Sequence, residues 1–345
     1  MLKNYLDSMK PIVDKQLEEF LPKKLNDTWL EAHLGKLRYG YNQASFSKIS
    51  EPMWDILKRV GKSWRPIFMM LCCDALGGGS KIVDFIPIIE LIHNGSLMID
   101  DIEDNSNERR GKPCTHKTFG IDVAINAGNM MYYLPYLLIK RSHLNNRTKL
   151  MIHEAIAEEM IKLHFGQGLD IHWHNNGWGI TEDLYLQMCA FKTGTLARLA
   201  VRIGTLLGNA NKKQIDALTK FAESIGVAFQ IQDDILNITN KKWGKEFGED
   251  IIEGKRSLMV IRVLEVGSNE DKQRLLDILN LKTGDEKSIQ EAIGIIERYK
   301  AIDYAKSKAK QLVTGTWDSL EPLLKDSESK TKLKLFADFA INREM

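Results

Sequence analysis

The sequence predicts an all-α fold, and three observations carry that prediction. Proline accounts for only 8 of 345 residues. Apolar residues recur at three- and four-residue steps over most of the length, the spacing that gives a helix one apolar face. No alternating apolar and polar run of useful length competes, so strands are not expected. Hydrophobic residues at 43% and charged residues at 27% are the balance of an ordinary globular chain. A large helical core can absorb 345 residues, which predicts one domain over 1–345.

Charge and cysteine content narrow the functional classes. A net charge of +2, from 48 basic and 46 acidic residues, creates no global field to recruit nucleic acid or an anionic membrane. Cys72, Cys73, Cys114 and Cys189 fit neither a zinc spacing nor a dense disulfide framework, which points to a reduced, cytoplasmic setting. Lysines and aspartates interrupt residues 1–14, where an export signal would be continuously apolar. The most membrane-like run, Ile121 to Ile139, contains Asp122, Asn126, Asn129 and Pro135, so a helix buried in protein is expected there and no membrane span.

The helical elements follow in order. Gly61-Lys62-Ser63-Trp64-Arg65-Pro66 opens a helix, with Pro66 expected at its first position, and Gly77-Gly78-Gly79 closes it. The apolar run Phe85 to Ile99 leads into an acidic cluster, and Gly111-Lys112-Pro113 breaks the pattern after it. From Asn211 to Ile238, residues Ile215, Leu218, Ala222, Ile225, Phe229 and Ile235 lie close to one helical face, and Asn211 followed by Gln214 resembles a capping box. Ser268 with Asp271 and Ser288 with Glu291 mark two further helix starts. Residues 267–345 are richer in charge yet keep the helical period, so they read as peripheral helices.

Two acidic clusters carry the chemistry. In Asp100-Asp101-Ile102-Glu103-Asp104, Asp100 and Asp104 stand one helical turn apart with Asp101 beside them, so three carboxylates are expected to face one volume. Asp233-Asp234-Ile235-Leu236-Asn237 repeats the spacing about 130 residues later. Carboxylates this close repel one another unless cations intervene. Mg²⁺ suits them, because it prefers oxygen ligands and takes one or two carboxylates together with substrate phosphates. Neither cluster has the alternating acids, central Gly and final Glu of a calcium-binding loop.

Basic residues flank both clusters. Arg109 and Arg110 follow the first, Lys62 and Arg65 sit at a helix start, and Lys192-Thr193, Lys245 and Lys255 accompany Asp250 and the second. Guanidinium forks and helix N-termini both favour phosphate oxygens. His93 lies two turns before Asp100 on the same side, aligned with Ser96. His164, His172 and His174 match no strong zinc spacing.

With these residues in place, the sequence resembles the trans-isoprenyl diphosphate synthase family. The stretch His93-Asn94-Gly95-Ser96-Leu97-Met98-Ile99-Asp100-Asp101-Ile102-Glu103-Asp104-Asn105-Ser106, with Arg109-Arg110-Gly111-Lys112-Pro113, is especially similar to geranylgeranyl diphosphate synthases. Gly166-Gln167-Gly168-Leu169-Asp170-Ile171 and Phe229-Gln230-Ile231-Gln232-Asp233-Asp234 extend the likeness over about residues 55–262. The resemblance implies a helical bundle of the isoprenoid synthase type around a central cavity. It further implies a homodimer and head-to-tail condensation of isopentenyl diphosphate with an allylic diphosphate. It assigns Asp100, Asp101, Asp104, Asp233, Asp234 and Asp250 to about three Mg²⁺ ions. Arg109, Lys192, Thr193, Gln230, Lys245 and Lys255 would surround the allylic diphosphate. Lys62, Arg65, His93 and Arg110 would hold isopentenyl diphosphate. Two positions depart from the family pattern: Ser63 stands where Arg is frequent, and Asn237 ends the second motif in place of Asp.

Product length should depend on what blocks the apolar tail below the first motif. Gly95 and Ser96 are small where bulky aromatics would close the cavity, and Tyr132, Tyr133 and His164 resemble a deeper floor. The expected product is therefore C20, with C15 and C25 as alternatives. A class I terpene cyclase and a non-catalytic subunit of a heteromeric synthase are the competing functional readings.

Overall fold

The computed structural model describes residues 2–40, 42–59, 61–176, 179–240 and 247–341, with the side chains of 174–176 left aside. Helices α1 (Leu2–Phe20), α2 (Asp27–Leu34), α3 (Gln43–Leu57) and α4 (Trp64–Ala75) lead to α5 (Ile86–Glu103). A hairpin of β1 (Glu108–Arg109) and β2 (Lys112–Pro113) is followed by α6 (Thr115–Phe119), α7 (Ile121–Arg141) and α8 (Asn146–Asn176). Then come α9 (Glu182–Lys192), α10 (Gly194–Leu207), α11 (Lys212–Thr239) and α12 (Glu249–Glu253). The last five are α13 (Leu258–Val266), α14 (Asn269–Leu281), α15 (Glu286–Arg298), α16 (Ala301–Leu320) and α17 (Glu328–Ile341). The fold is all-α apart from the two-residue strands, which pair antiparallel as Glu108 with Pro113 and Arg109 with Lys112.

The bundle is laced by long helices. α5 packs along α7, α10 lies against both α4 and α11, α8 runs beside α9, and α11 beside α16. One continuous apolar cluster extends from Leu2 and Leu6 in α1 to Phe336 and Ala340 in α17, so the charged C-terminal helices cover the same core as the rest. Small residues let the axes close up. A Cβ on Gly226 would stand 2.5 Å from Gly194 Cα, and one on Gly204 would stand 2.7 Å from the Met69 carbonyl oxygen, so side chains there would force the helices apart.

Helix starts follow side-chain chemistry in detail. Asn211 and Gln214 form the expected reciprocal capping box, and Ser268 accepts from the Asp271 amide. Ser288, expected as a cap, instead sits at the third position of α15, where its amide donates to the Asp285 carboxylate at 2.9 Å. Asp is at least as good a cap as Ser, and here it moves the start three residues earlier. Pro66 is the third residue of α4, not the first, because Ser63 takes the cap position. The shift costs no hydrogen bond, since the first four amides of a helix lack intrahelical acceptors.

Among the described residues, the run long and apolar enough to cross a bilayer is Ser80–Glu103, with 67% of its apolar window buried in the protein. The sequence had drawn attention to Ile121 to Ile139 instead. The difference arises because three of the acids of Ser80–Glu103, Asp100, Asp101 and Glu103, gather at its end, leaving a mostly apolar stretch before them.

Candidate active site

α5 and α11 deliver the two acidic clusters to opposite walls of one cavity of about 500 Å³. Asp100, Glu103 and Asp104 line one wall; Asp233, Asp234 and Asp250 line the other. Asp101 differs from expectation. It is 1% exposed and does not line the cavity, because one residue further along a helix turns the side chain by about 100°. Its Oδ1 instead accepts from Arg109 Nε at 2.7 Å, while Arg109 Nη2 reaches Asp100 Oδ2 at 3.2 Å.

α8 and α9 complete the first wall. Gln167 Nε2 donates to Asp100 Oδ1 at 3.1 Å and to Glu103 Oε2 at 2.8 Å. Lys192 donates to Asp170 Oδ2 at 2.7 Å and stands 3.3 Å from Asp100 Oδ1. Burial pulls the Lys192 ammonium down, but Asp100, Asp170 and Asp104 outweigh it and hold the pKa above the ordinary value.

On the second wall, Asp234 is gripped at both oxygens. Tyr185 donates to Oδ2 at 2.7 Å and Gln230 Nε2 to Oδ1 at 2.9 Å, while Thr193 Oγ1 fixes Gln230 Oε1 at 2.7 Å. Asn237 Oδ1 accepts from the Asp250 amide at 3.1 Å, tying the end of α11 to α12. Lys255 donates to Asp250 Oδ1 at 2.9 Å. Lys245 lies outside the described residues.

The electrostatics of these walls favour a divalent cation. Burial, then Asp100, pushes the Asp104 carboxyl up to about 7. Burial, then Asp250, does the same to Asp234. No group of three or more His, Cys, Asp or Glu side chains among the described residues is disposed to hold an ion unaided. Each cluster is thus a partial set of hard oxygen donors, which suits Mg²⁺ because that ion keeps several waters and takes substrate phosphate oxygens.

The other end of the cavity is basic. Lys62, Arg65, His93 and Arg110 line it together with Glu90. Arg65 Nη1 lies 3.2 Å from His93 Nε2. Burial, followed by the neighbouring guanidiniums, lowers the His93 pKa well below its usual value, so the neutral ring accepts from Arg65. Arg110 Nη1 donates to Asn94 Oδ1 at 3.3 Å, and Asn94 Nδ2 donates to Glu90 Oε2 at 3.1 Å. Arg59, buried at the end of α3, donates to the carbonyls of Arg109 at 2.9 Å and Pro113 at 2.7 Å and so clamps the hairpin.

Ser96, Tyr132 and His164 also line the cavity, with the Tyr132 and His164 rings edge to face at 6.0 Å. Two expected tail-site residues do not. A Cβ on Gly95 would stand 2.9 Å from the Gly128 carbonyl oxygen, so Gly95 serves the α5–α7 contact. Tyr133 is 70% exposed and packs against Tyr136 on the outside of α7. Glu90, Gln167, Asp170 and Tyr185 received no role from the sequence. Gln167 and Asp170 stood in a stretch of family likeness; Tyr185 left no local signal, since its partner lies 49 residues away.

The sequence profile described as Polyprenyl synthetase matches residues 46–296. The chain belongs to the polyprenyl synthetase family. The short chain isoprenyl diphosphate synthase of Methanothermobacter thermautotrophicus is 37% identical over 290 residues, covering 82% of this chain and 87% of the relative. The geranylgeranyl pyrophosphate synthase of Dictyostelium discoideum is 34% identical, covering 79% of this chain and 88% of the relative. Among solved structures, geranylgeranyl pyrophosphate synthetase from Pyrococcus horikoshii superposes with a TM-score of 0.83 at 29% identity, covering 99% of this chain and 98% of that one. This polyprenyl synthetase is accordingly an enzyme, a trans-prenyltransferase resembling geranylgeranyl diphosphate synthases.

Proposed function

We propose that the chain condenses isopentenyl diphosphate with allylic diphosphates to give geranylgeranyl diphosphate. The observation that carries this reading is the division of one cavity into an acidic half and a basic half, which suits two diphosphates of different fate. Mg²⁺, about three ions held by Asp100, Asp104, Asp233, Asp234 and Asp250, would neutralise the allylic diphosphate as it leaves. Arg109 and Lys192, with Thr193, Gln230 and Lys255 nearby, stabilise the same developing charge. Asp101 contributes by holding Arg109. Lys62, Arg65 and Arg110 grip the diphosphate that is retained, and neutral His93 orients Arg65.

The carbon–oxygen bond of the allylic substrate breaks with its electron pair going to diphosphate. The isopentenyl double bond supplies the pair for the new carbon–carbon bond, and loss of a proton to the departed diphosphate restores an alkene. The walls supply charge and position, and Trp64 stacked on Phe229 at 4.6 Å adds an apolar surface.

The C20 length rests on Ser96, which leaves the tail path open beside the first acidic cluster, and on Tyr132 and His164 further along it. A homodimer is supported by the large apolar side chains exposed on α7 and α8, namely Ile121, Val123, Ile125, Tyr133, Ile161 and Phe165. One continuous core supports a single catalytic domain.

Incubation with Mg²⁺, labelled isopentenyl diphosphate and each allylic starter, followed by sizing of the products, tests the activity. A C20 product is expected, and Ser96→Phe should shorten it toward C15. Consumption of an allylic diphosphate without isopentenyl diphosphate would instead identify a cyclase.

A further inference from the structure

Helix α1 carries one residue that its own packing does not explain. Leu2, Leu6, Val13 and Leu17 are its buried positions, and their spacing draws one stripe along the helix. Lys10 falls within that stripe, four residues after Leu6 and three before Val13. An ammonium there is costly unless its tip finds compensation. The ammonium is paired with Asp14 on α1, and the side chain lines the cavity together with Lys62, Arg65, His93 and Arg110.

The surroundings give this cation a purpose. Glu90, 6% exposed, brings a carboxyl into the basic half. Burial raises its pKa, while Arg110, Arg65 and Lys10 work against that rise, which places Lys10 within electrical reach of the group. Lys62, Arg65 and Arg110 supply positive charge at this end, and the Lys10 side chain lines the same cavity. Its Nζ rests 2.9 Å from Asp14 Oδ1 one turn along α1. That pair is half-exposed and screened by water, so the ammonium can turn from Asp14 to a diphosphate oxygen. Lys10 also precedes the segment 46–296 that matches the family, so the N-terminal helix extends the cation set beyond the matched core.

We propose that Lys10 is a binding residue for the retained diphosphate, delivered to the basic half of the cavity by α1. The proposal rests on the two-diphosphate reading above. It differs from a purely structural role, in which Lys10 would only pair with Asp14.

Lys10→Met keeps the apolar stem and removes the charge; Lys10→Arg keeps the charge. The Met variant should raise KM for isopentenyl diphosphate roughly tenfold, the scale of one charge-assisted hydrogen bond. KM for the allylic diphosphate, kcat and Tm should stay unchanged, and Lys10→Arg should recover most of the loss. Calorimetry of isopentenyl diphosphate binding in EDTA should show the same weakening. An unchanged KM and affinity would overturn the proposal, as would a fall in Tm with both KM values rising together. A wild-type protein that binds no isopentenyl diphosphate would sink the two-diphosphate reading itself.

Discussion

Tyr185 donates its phenolic hydrogen to Asp234 Oδ2 over 2.7 Å, with both side chains buried and 49 residues between them. The bond aims one carboxylate of the second acidic cluster into the cavity. Partners of metal-binding carboxylates commonly change metal affinity by about 10- to 100-fold. Tyr185→Phe should therefore weaken Mg²⁺ binding by about tenfold, read as a smaller Mg²⁺-dependent rise in Tm in the presence of pyrophosphate. An unaltered Mg²⁺ titration would show that Gln230 alone suffices to orient Asp234.

Asp100 stands at the meeting point of Arg109, Gln167 and Lys192. Its loss would remove a candidate metal ligand and leave two partly buried cations less balanced. Asp100→Ala should lower turnover on the order of a hundredfold, the scale of losing one preorganised electrostatic stabiliser. Steady-state kinetics at saturating Mg²⁺ decide the point, and near-normal turnover would remove Asp100 from the site.

The buried acids also predict a pH dependence. Asp104 and Asp234 are each raised from 3.8 to about 7, so between these values the folded protein binds more protons than the unfolded chain. Their contribution to metal-free stability is fully present below about pH 4 and is lost as pH rises through about 7. Mg²⁺ needs the deprotonated carboxylates and should act in the opposite sense. Melting curves in EDTA should show Tm falling from roughly pH 5 to pH 8, with a Mg²⁺-induced rise that grows over the same range. A Mg²⁺ effect independent of pH would contradict these raised values.

Gly166 sets the distance between α8 and the end of α9. A Cβ there would stand 2.7 Å from the Phe191 carbonyl carbon, so Gly166→Ala must push the backbone beside Lys192 away from Asp170 and Asp100. Overpacking of this kind typically costs about 1–3 kcal/mol. The variant should melt lower and turn over more slowly, whereas Gly168→Ala, with no neighbour within 4 Å, should leave both nearly unchanged. Equal behaviour of the two variants would count against a special role for the Gly166 contact.

What the sequence disclosed follows a physical divide. Relationships within one helical turn were legible: Asp100 with Asp104, and the Asn211–Gln214 cap. Relationships that depend on which way a helix is rotated were less so. Gly95 and Ser96 are neighbours, yet one meets Gly128 and the other the cavity. Tyr132 and Tyr133 divide in the same way, as do Asp100 and Asp101. Contacts between distant segments left almost no trace, which is why Tyr185 and Glu90 emerged only from the fold. The Asp285 cap was missed for a local reason, because Ser288 offers a competing start to the same helix.

Arg109 and Arg110 are consecutive, yet Arg109 faces Asp100 and Asp101 while Arg110 faces Asn94. The left-handed backbone at Arg110, with φ of 56°, helps part them, and the clamp from Arg59 holds the turn in place. Such a conformation is uncommon for any residue with a side chain. The guanidiniums that serve the two halves of the cavity are therefore joined by a single peptide unit and cannot drift apart independently. The hairpin is a spacer gauge: under the two-diphosphate reading proposed above, it would fix how far apart the leaving and the retained diphosphate stand, and hence the gap across which the new carbon–carbon bond would form.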